Sequence, residues 1–131
     1  MGLRRVTRIQ ILKNLYSNEI NPKDENKWTE LLEKKNIDRD FAVKITEICD
    51  KNIEIILEKI NSISSIDPKK LSLVEKSILI IALTEILFFD NIPVKVTINE
   101  AIELAKIYGS NESYKFINGV LDKLKNSTVT S

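Results

Sequence analysis

A chain of 131 residues, 43% apolar and 30% charged, has the size and composition of one folded domain and not of a disordered segment. Its 20 basic and 19 acidic side chains leave a net charge of +1, so overall charge points to no class of partner. With no histidine and one cysteine, Cys49, the chain has no means for Ser-His-Asp or Cys-His catalysis, histidine metal ligation, an internal disulfide or a Cys-based zinc site.

From the N-terminus, residues 3–17 read as a helix whose apolar stripe is Val6, Ile9, Leu12 and Tyr16. Arg4 and Arg8, four apart, are expected on another face with Arg5 beside them. Asn21-Pro22 breaks the pattern, and a short helix is expected over 24–35 with Trp28, Leu31 and Leu32 inward. Asp38 is placed to cap a long third helix whose stripe runs Phe41, Ile45, Ile48, Cys49, Asn52, Ile56 and Ile60. Asn52 interrupts that stripe and needs a partner if buried.

The polar stretch 61–70 is the best boundary between two helical halves, with Asp67-Pro68 as a cap followed by proline at a first helical position. Ser72 and Glu75 form a capping box opening a helix over 74–89 that is apolar nearly all round, broken by Lys76 and Glu85. Such a helix belongs at the centre of a bundle. Phe88 and Phe89 are not expected to point inward together. After Asn91-Ile92-Pro93, Thr97 and Glu100 give a second apparent capping box, Gly109 a C-terminal cap, and residues 111–125 a last amphipathic helix followed by a frayed tail. No β-type alternation persists, so the fold class is all-α.

Catalytic chemistry is scarce. Gly2, Gly109 and Gly119 are too scattered for a phosphate loop, and carboxylate pairs such as Glu100 with Glu103 read as surface charge. No cofactor is expected. The longest apolar run, 78–83, falls far short of the ~20 residues that cross a bilayer. No signal-type segment follows the basic N-terminus, so a soluble, cytoplasmic protein is expected. The informative feature is Arg4, Arg5, Arg8 and Lys13, with no acid before Glu19. Clustered cations suit phosphates, and arginine planes stack on unpaired bases, although a basic helix end is also common at a plain surface. Tyr16 and Phe116 lie on apolar stripes and read first as core.

Residues 71–124 shift the balance. Ile92-Pro93-Val94-Lys95-Val96, then Ile98-Asn99-Glu100-Ala101-Ile102-Glu103-Leu104-Ala105-Lys106, then Lys115-Phe116-Ile117-Asn118-Gly119-Val120-Leu121-Asp122 resemble the C-terminal half of the NusB transcription-antitermination family, in order and without insertion. Arg4-Arg5-Val6-Thr7-Arg8 and Leu15-Tyr16 resemble the beginning and end of that family's first helix.

The resemblance implies a bundle of about six to seven helices in two perpendicular three-helix subdomains. That is a single domain over 1–131, with an N-terminal half at 1–62 and a C-terminal half at 68–125. It also implies a non-enzymatic factor that binds boxA-type single-stranded RNA together with NusE, a small-subunit ribosomal protein, and so acts indirectly on the RNA polymerase antitermination complex. By the same resemblance Arg4, Arg5, Arg8, Lys115, Phe116 and Glu112 lie along the RNA path, Phe116 as a stacking ring and Glu112 as a charge that weakens binding. Tyr16 and Glu75 belong to the ribosomal-protein interface.

The sequence departs from the family at Val6, which usually is basic, and at Ile80, Thr84 and Ile66. Val6 leaves open an alternative, a helical protein–protein module of the same fold that has lost RNA binding. An enzyme reading fails on residues: RNA cytosine methyltransferases carry a NusB-like domain, but this chain is expected to end with it.

Overall fold

The computed structural model describes residues 2–20 and 28–130, and among these the fold is all-α. Seven α-helices follow one another: α1 (Leu3–Ile20), α2 (Thr29–Glu33), α3 (Arg39–Lys51), α4 (Ile53–Ser64), α5 (Leu73–Phe88), α6 (Val94–Tyr108) and α7 (Asn111–Thr130). A 3-10 turn, Pro68–Lys70, precedes α5. The expected break at Asn21-Pro22 and the first part of the expected second helix lie outside the described residues.

The all-round apolar helix is central, as its pattern requires. Residues 77–85 of α5 are all buried, and α5 packs against α1, α3, α4, α6 and α7. Its start carries the capping box read from sequence: Ser72 Oγ accepts from the Glu75 amide at 3.1 Å and Glu75 Oε1 accepts from the Ser72 amide at 3.4 Å. Asp67 caps the 3-10 turn through the Lys69 amide, with Pro68 at its first position. Asp38 caps α3 through the Phe41 amide at 3.2 Å.

Elsewhere the chain departs from its pattern, for local reasons. The long third helix is two helices, α3 and α4, broken at Asn52. The Asn52 side-chain amide donates to the Ile48 carbonyl at 2.8 Å, sharing that acceptor with its own backbone amide at 3.0 Å. This also answers the partner question posed by the stripe. Phe88 and Phe89 both turn toward the core because α5 ends at Phe88. Phe89 has extended backbone (φ −107°, ψ 118°), which frees its ring from the helical direction. No Gly or Pro follows Gly119, and α7 runs on to Thr130 where a frayed tail was expected.

The second apparent capping box is not one. α6 opens four residues earlier, after Pro93, and Thr97 is a buried interior residue. Gly109 does end α6, but not through a left-handed turn, since its φ is −101°. It is needed for space. A Cβ there would stand 2.7 Å from the Ser113 Cβ and 2.8 Å from the Ala105 carbonyl oxygen. Because one of these is backbone, Gly109→Ala is expected to cost about 1–3 kcal/mol, the range for overpacking, measurable as a lowered urea midpoint at unchanged slope.

Candidate nucleic-acid interface

The three arginines of α1 have three different environments. Arg4 is exposed. Its Nε stands 3.4 Å from Asp38 Oδ2, and its guanidinium carbon lies 5.0 Å from the centre of the Phe41 ring. Arg5 is half-buried and forms a two-pronged pair with Glu100, Nε to Oε2 at 2.9 Å and Nη2 to Oε1 at 3.0 Å. Arg8 is buried, with 4% of its side chain exposed. It grips Glu85 with Nε to Oε2 at 2.8 Å and Nη2 to Oε1 at 2.7 Å.

The sequence expectation that Arg8 shares an open face with Arg4 is therefore corrected. The buried residues of α1 are Thr7, Arg8, Ile9, Ile11 and Leu12, so the stripe read from sequence holds at Ile9 and Leu12 and fails at Val6 and Tyr16. Arg8 is there because Glu85 sits in the middle of α5 with 1% exposure, and a carboxylate at that depth requires a cation. Thr97 completes the shell by donating its hydroxyl to Glu85 Oε1 at 3.0 Å, and Arg8 Nη1 approaches Glu100 Oε2 at 4.0 Å. The space enclosed by these groups has no room for a water molecule. Sequence reasoning missed Glu85 and Thr97 as a polar centre. The available signal was an acid deep inside a helix that is apolar nearly all round.

Glu100 thus serves α1 twice, as the direct partner of Arg5 and as a more distant neighbour of Arg8. The hydrogen bonds from Arg5 hold its carboxyl below the ordinary value of 4.5, burial opposes that shift, and the charges of Arg5 and Arg8 reinforce it. A carboxyl depressed in the folded state stabilises the fold fully above its unfolded value, and that share is lost as pH falls through the lower folded value. Acidifying from pH 7 to below about 4.5 should therefore lower the wild-type urea midpoint more than that of Arg5→Ala. Equal losses would mean that the pair does not persist in solution.

The remaining expected residues gather at the other end of α1. Tyr16 is 41% exposed, not core as its stripe suggested. It borders an open groove of ≈ 510 Å³ shared with Leu12, Lys13, Val74 and Tyr108. Glu75, next to Val74, accepts from the Ser113 hydroxyl at 3.0 Å and so ties the start of α5 to the start of α7. Glu112 and Lys115, on that first part of α7, are exposed, and Phe116 packs partly against the core. Arg4 and Tyr16 are twelve residues apart on one helix, about 18 Å at 1.5 Å per residue. The arginine end of α1 and its Tyr16 end are thus two separate places on the surface.

Among the described residues no group of acidic or cysteine side chains is placed to hold a metal ion, and no helix is long and apolar enough to cross a membrane. Residues 4–126 match the NusB family. The chain is 41% identical over 126 residues to the transcription antitermination protein NusB of Buchnera aphidicola subsp. Cinara cedri, covering 92% of this chain and 89% of that protein. Its fold matches NusB of T. maritima with a TM-score of 0.85 at 31% identity, over 94% of this chain and 90% of the other. A chain in a crystal structure of the antitermination factors NusB and NusE in complex with dsRNA has the same fold, with a TM-score of 0.83 at 23% identity over 94% of this chain and 96% of that one.

Proposed function

Because the chain belongs to the NusB family, we propose that it is an RNA-binding transcription antitermination factor that recognises boxA-type single-stranded RNA together with NusE. The observation that carries this reading is agreement with the family over residues 4–126, from the arginines of α1 to the end of the core. On this reading the chain works in the cytoplasm as one domain, halves 1–62 and 68–125, by binding and without catalysis or cofactor. It reaches RNA polymerase only through the complex it joins.

On this reading Arg4 and Arg5 meet phosphates and bases, while Arg8, buried against Glu85, holds the helix that carries them. Lys115 and Phe116, on α7, offer a second cation and a ring. Tyr16 and Glu75 flank the open groove, and its apolar wall suits a protein partner. Two weak RNA surfaces, one on each protein, then bind as one by raised effective concentration.

The test is binding of a boxA-type oligoribonucleotide, alone and with NusE, at low and physiological salt. The expected result is partner-enhanced, salt-sensitive binding. A specific observation favours a second reading: Val6 is uncharged, Arg8 is buried and Arg5 is paired, which leaves few open cations. If NusE binds and RNA does not under any condition, the chain is a protein-interaction module of this fold.

Glu112→Gln probes the RNA path at α7. A unit charge about 8 Å from a phosphate is worth about 0.5 kcal/mol in water, so low-salt affinity should rise about twofold. No change would move the path away from α7.

A further inference from the structure

Beside Arg4 lies a hollow that neither the arginine motif nor the groove at Tyr16 accounts for. We propose that it receives one unpaired nucleobase of the bound RNA, with Lys44 taking the neighbouring phosphate. This rests on the RNA-binding reading and extends the RNA surface from α1 onto α3 and the segment after α5.

The hollow encloses ≈ 320 Å³ and is bordered by Arg4, Asp40, Phe41, Lys44, Phe89 and Asn91. That volume is at the small end of ligand sites, suited to a single planar group. Its floor is rigid. Phe41 and Phe89 are both buried and meet edge to face, with centroids 5.8 Å apart and planes at 73°. Each ring carries a cation: the Arg4 guanidinium carbon at 5.0 Å from Phe41 and Lys44 Nζ at 4.6 Å from Phe89. Asp38 steadies Arg4 through Nε at 3.4 Å. Arg4 remains substantially exposed, and a guanidinium plane is a platform on which unstacked bases rest.

The charges decide the kind of ligand. Arg4 and Lys44 are matched by Asp38 and Asp40, so the hollow has no formal net charge and gives an isolated phosphate little reason to bind. A base differs in what it needs: a flat neighbour, and donors and acceptors for its edge. Asp40 offers an acceptor, and the Asn91 amide offers both kinds. Lys44, exposed on the first turns of α3, then meets the backbone and restores a cation to a surface where Val6 supplies none.

The experiment uses the full chain with NusE and a boxA-type RNA, comparing wild type with Lys44→Ala and Asn91→Ala at two or more salt concentrations. Both residues are exposed, and unchanged melting temperatures verify that the variants fold. Lys44→Ala should weaken binding and make the log–log salt dependence shallower by about 0.7, the value for one phosphate on a single strand. Asn91→Ala should weaken binding with no change in slope.

A scan of single abasic nucleotides identifies the base. At one position, losing the base should cost wild type roughly fivefold or more, as loss of a stacked base does, and cost Asn91→Ala much less. If wild type binds in the expected salt-sensitive way while both variants match it, or if base loss and Asn91→Ala are additive at every position, the hollow is not a base site. If wild type binds no RNA, the RNA-binding reading falls and this proposal falls with it.

Discussion

Replacing Glu85 by alanine is expected to lower the unfolding free energy by about 3–5 kcal/mol, the cost of stranding one charge of a buried ion pair. Arg8 and Glu85 are 3% and 1% exposed and are joined by two hydrogen bonds of 2.8 and 2.7 Å. Without Glu85 the guanidinium keeps Glu100, at 4.0 Å, and the Phe41 ring, whose centre is 5.0 Å away, and Thr97 loses its acceptor. Glu100 offsets part of the loss, so a value nearer the lower limit is expected.

The companion variant separates charge from packing. Arg8→Met with Glu85→Leu removes both charges and keeps much of the volume, and hydrophobic replacement of buried pairs is often neutral or better. The double variant should therefore recover most of what Glu85→Ala loses. Urea unfolding gives both numbers. A loss below about 1 kcal/mol for Glu85→Ala, the range of exposed pairs, would mean that water reaches this site.

That ion pair also marks where the sequence stops being legible. Features set by neighbours in the chain can be read directly: Asp38, Asp67 and Ser72 each bond to an amide two or three residues on, and all three caps form as their spacing implies. The central place of α5 follows from its lack of any polar face. Arg8 is different because its environment is set by Glu85, 77 residues away. Spacing alone put it beside Arg4, and only the stranded acid on α5 hinted otherwise.

Thr97 and Glu100 show the same limit. They satisfy the spacing of a capping box, yet tertiary partners claim both side chains, Glu85 the first and Arg5 the second. Tyr16 has the spacing of a core residue but lies where neighbouring helices leave the groove open. The proposed RNA surface was thus legible as a region at the start of α1. Which of its arginines is free to act was not, since that depends on carboxylates from α5 and α6.

The dependence on Glu100 makes Arg5 the more consequential of the two surface arginines. Arg5→Ala is expected to weaken RNA binding more than Arg4→Ala does, by about tenfold at low salt, or about 1.4 kcal/mol. Each substitution removes one cation, and each should make the salt dependence shallower by about 0.7 if that cation meets a phosphate. Arg5→Ala does something further. It uncovers the carboxylate that Arg5 covers at 2.9 and 3.0 Å, leaving a negative charge facing the strand. Glu100→Gln in the Arg5→Ala background should therefore regain part of the affinity, without restoring the slope. Glu100→Gln alone should tighten binding, because Arg5 no longer divides its charge between a carboxylate and a phosphate. If it instead weakens binding by as much as Arg5→Ala, Glu100 acts by aiming Arg5, and the free guanidinium is too mobile to hold the strand.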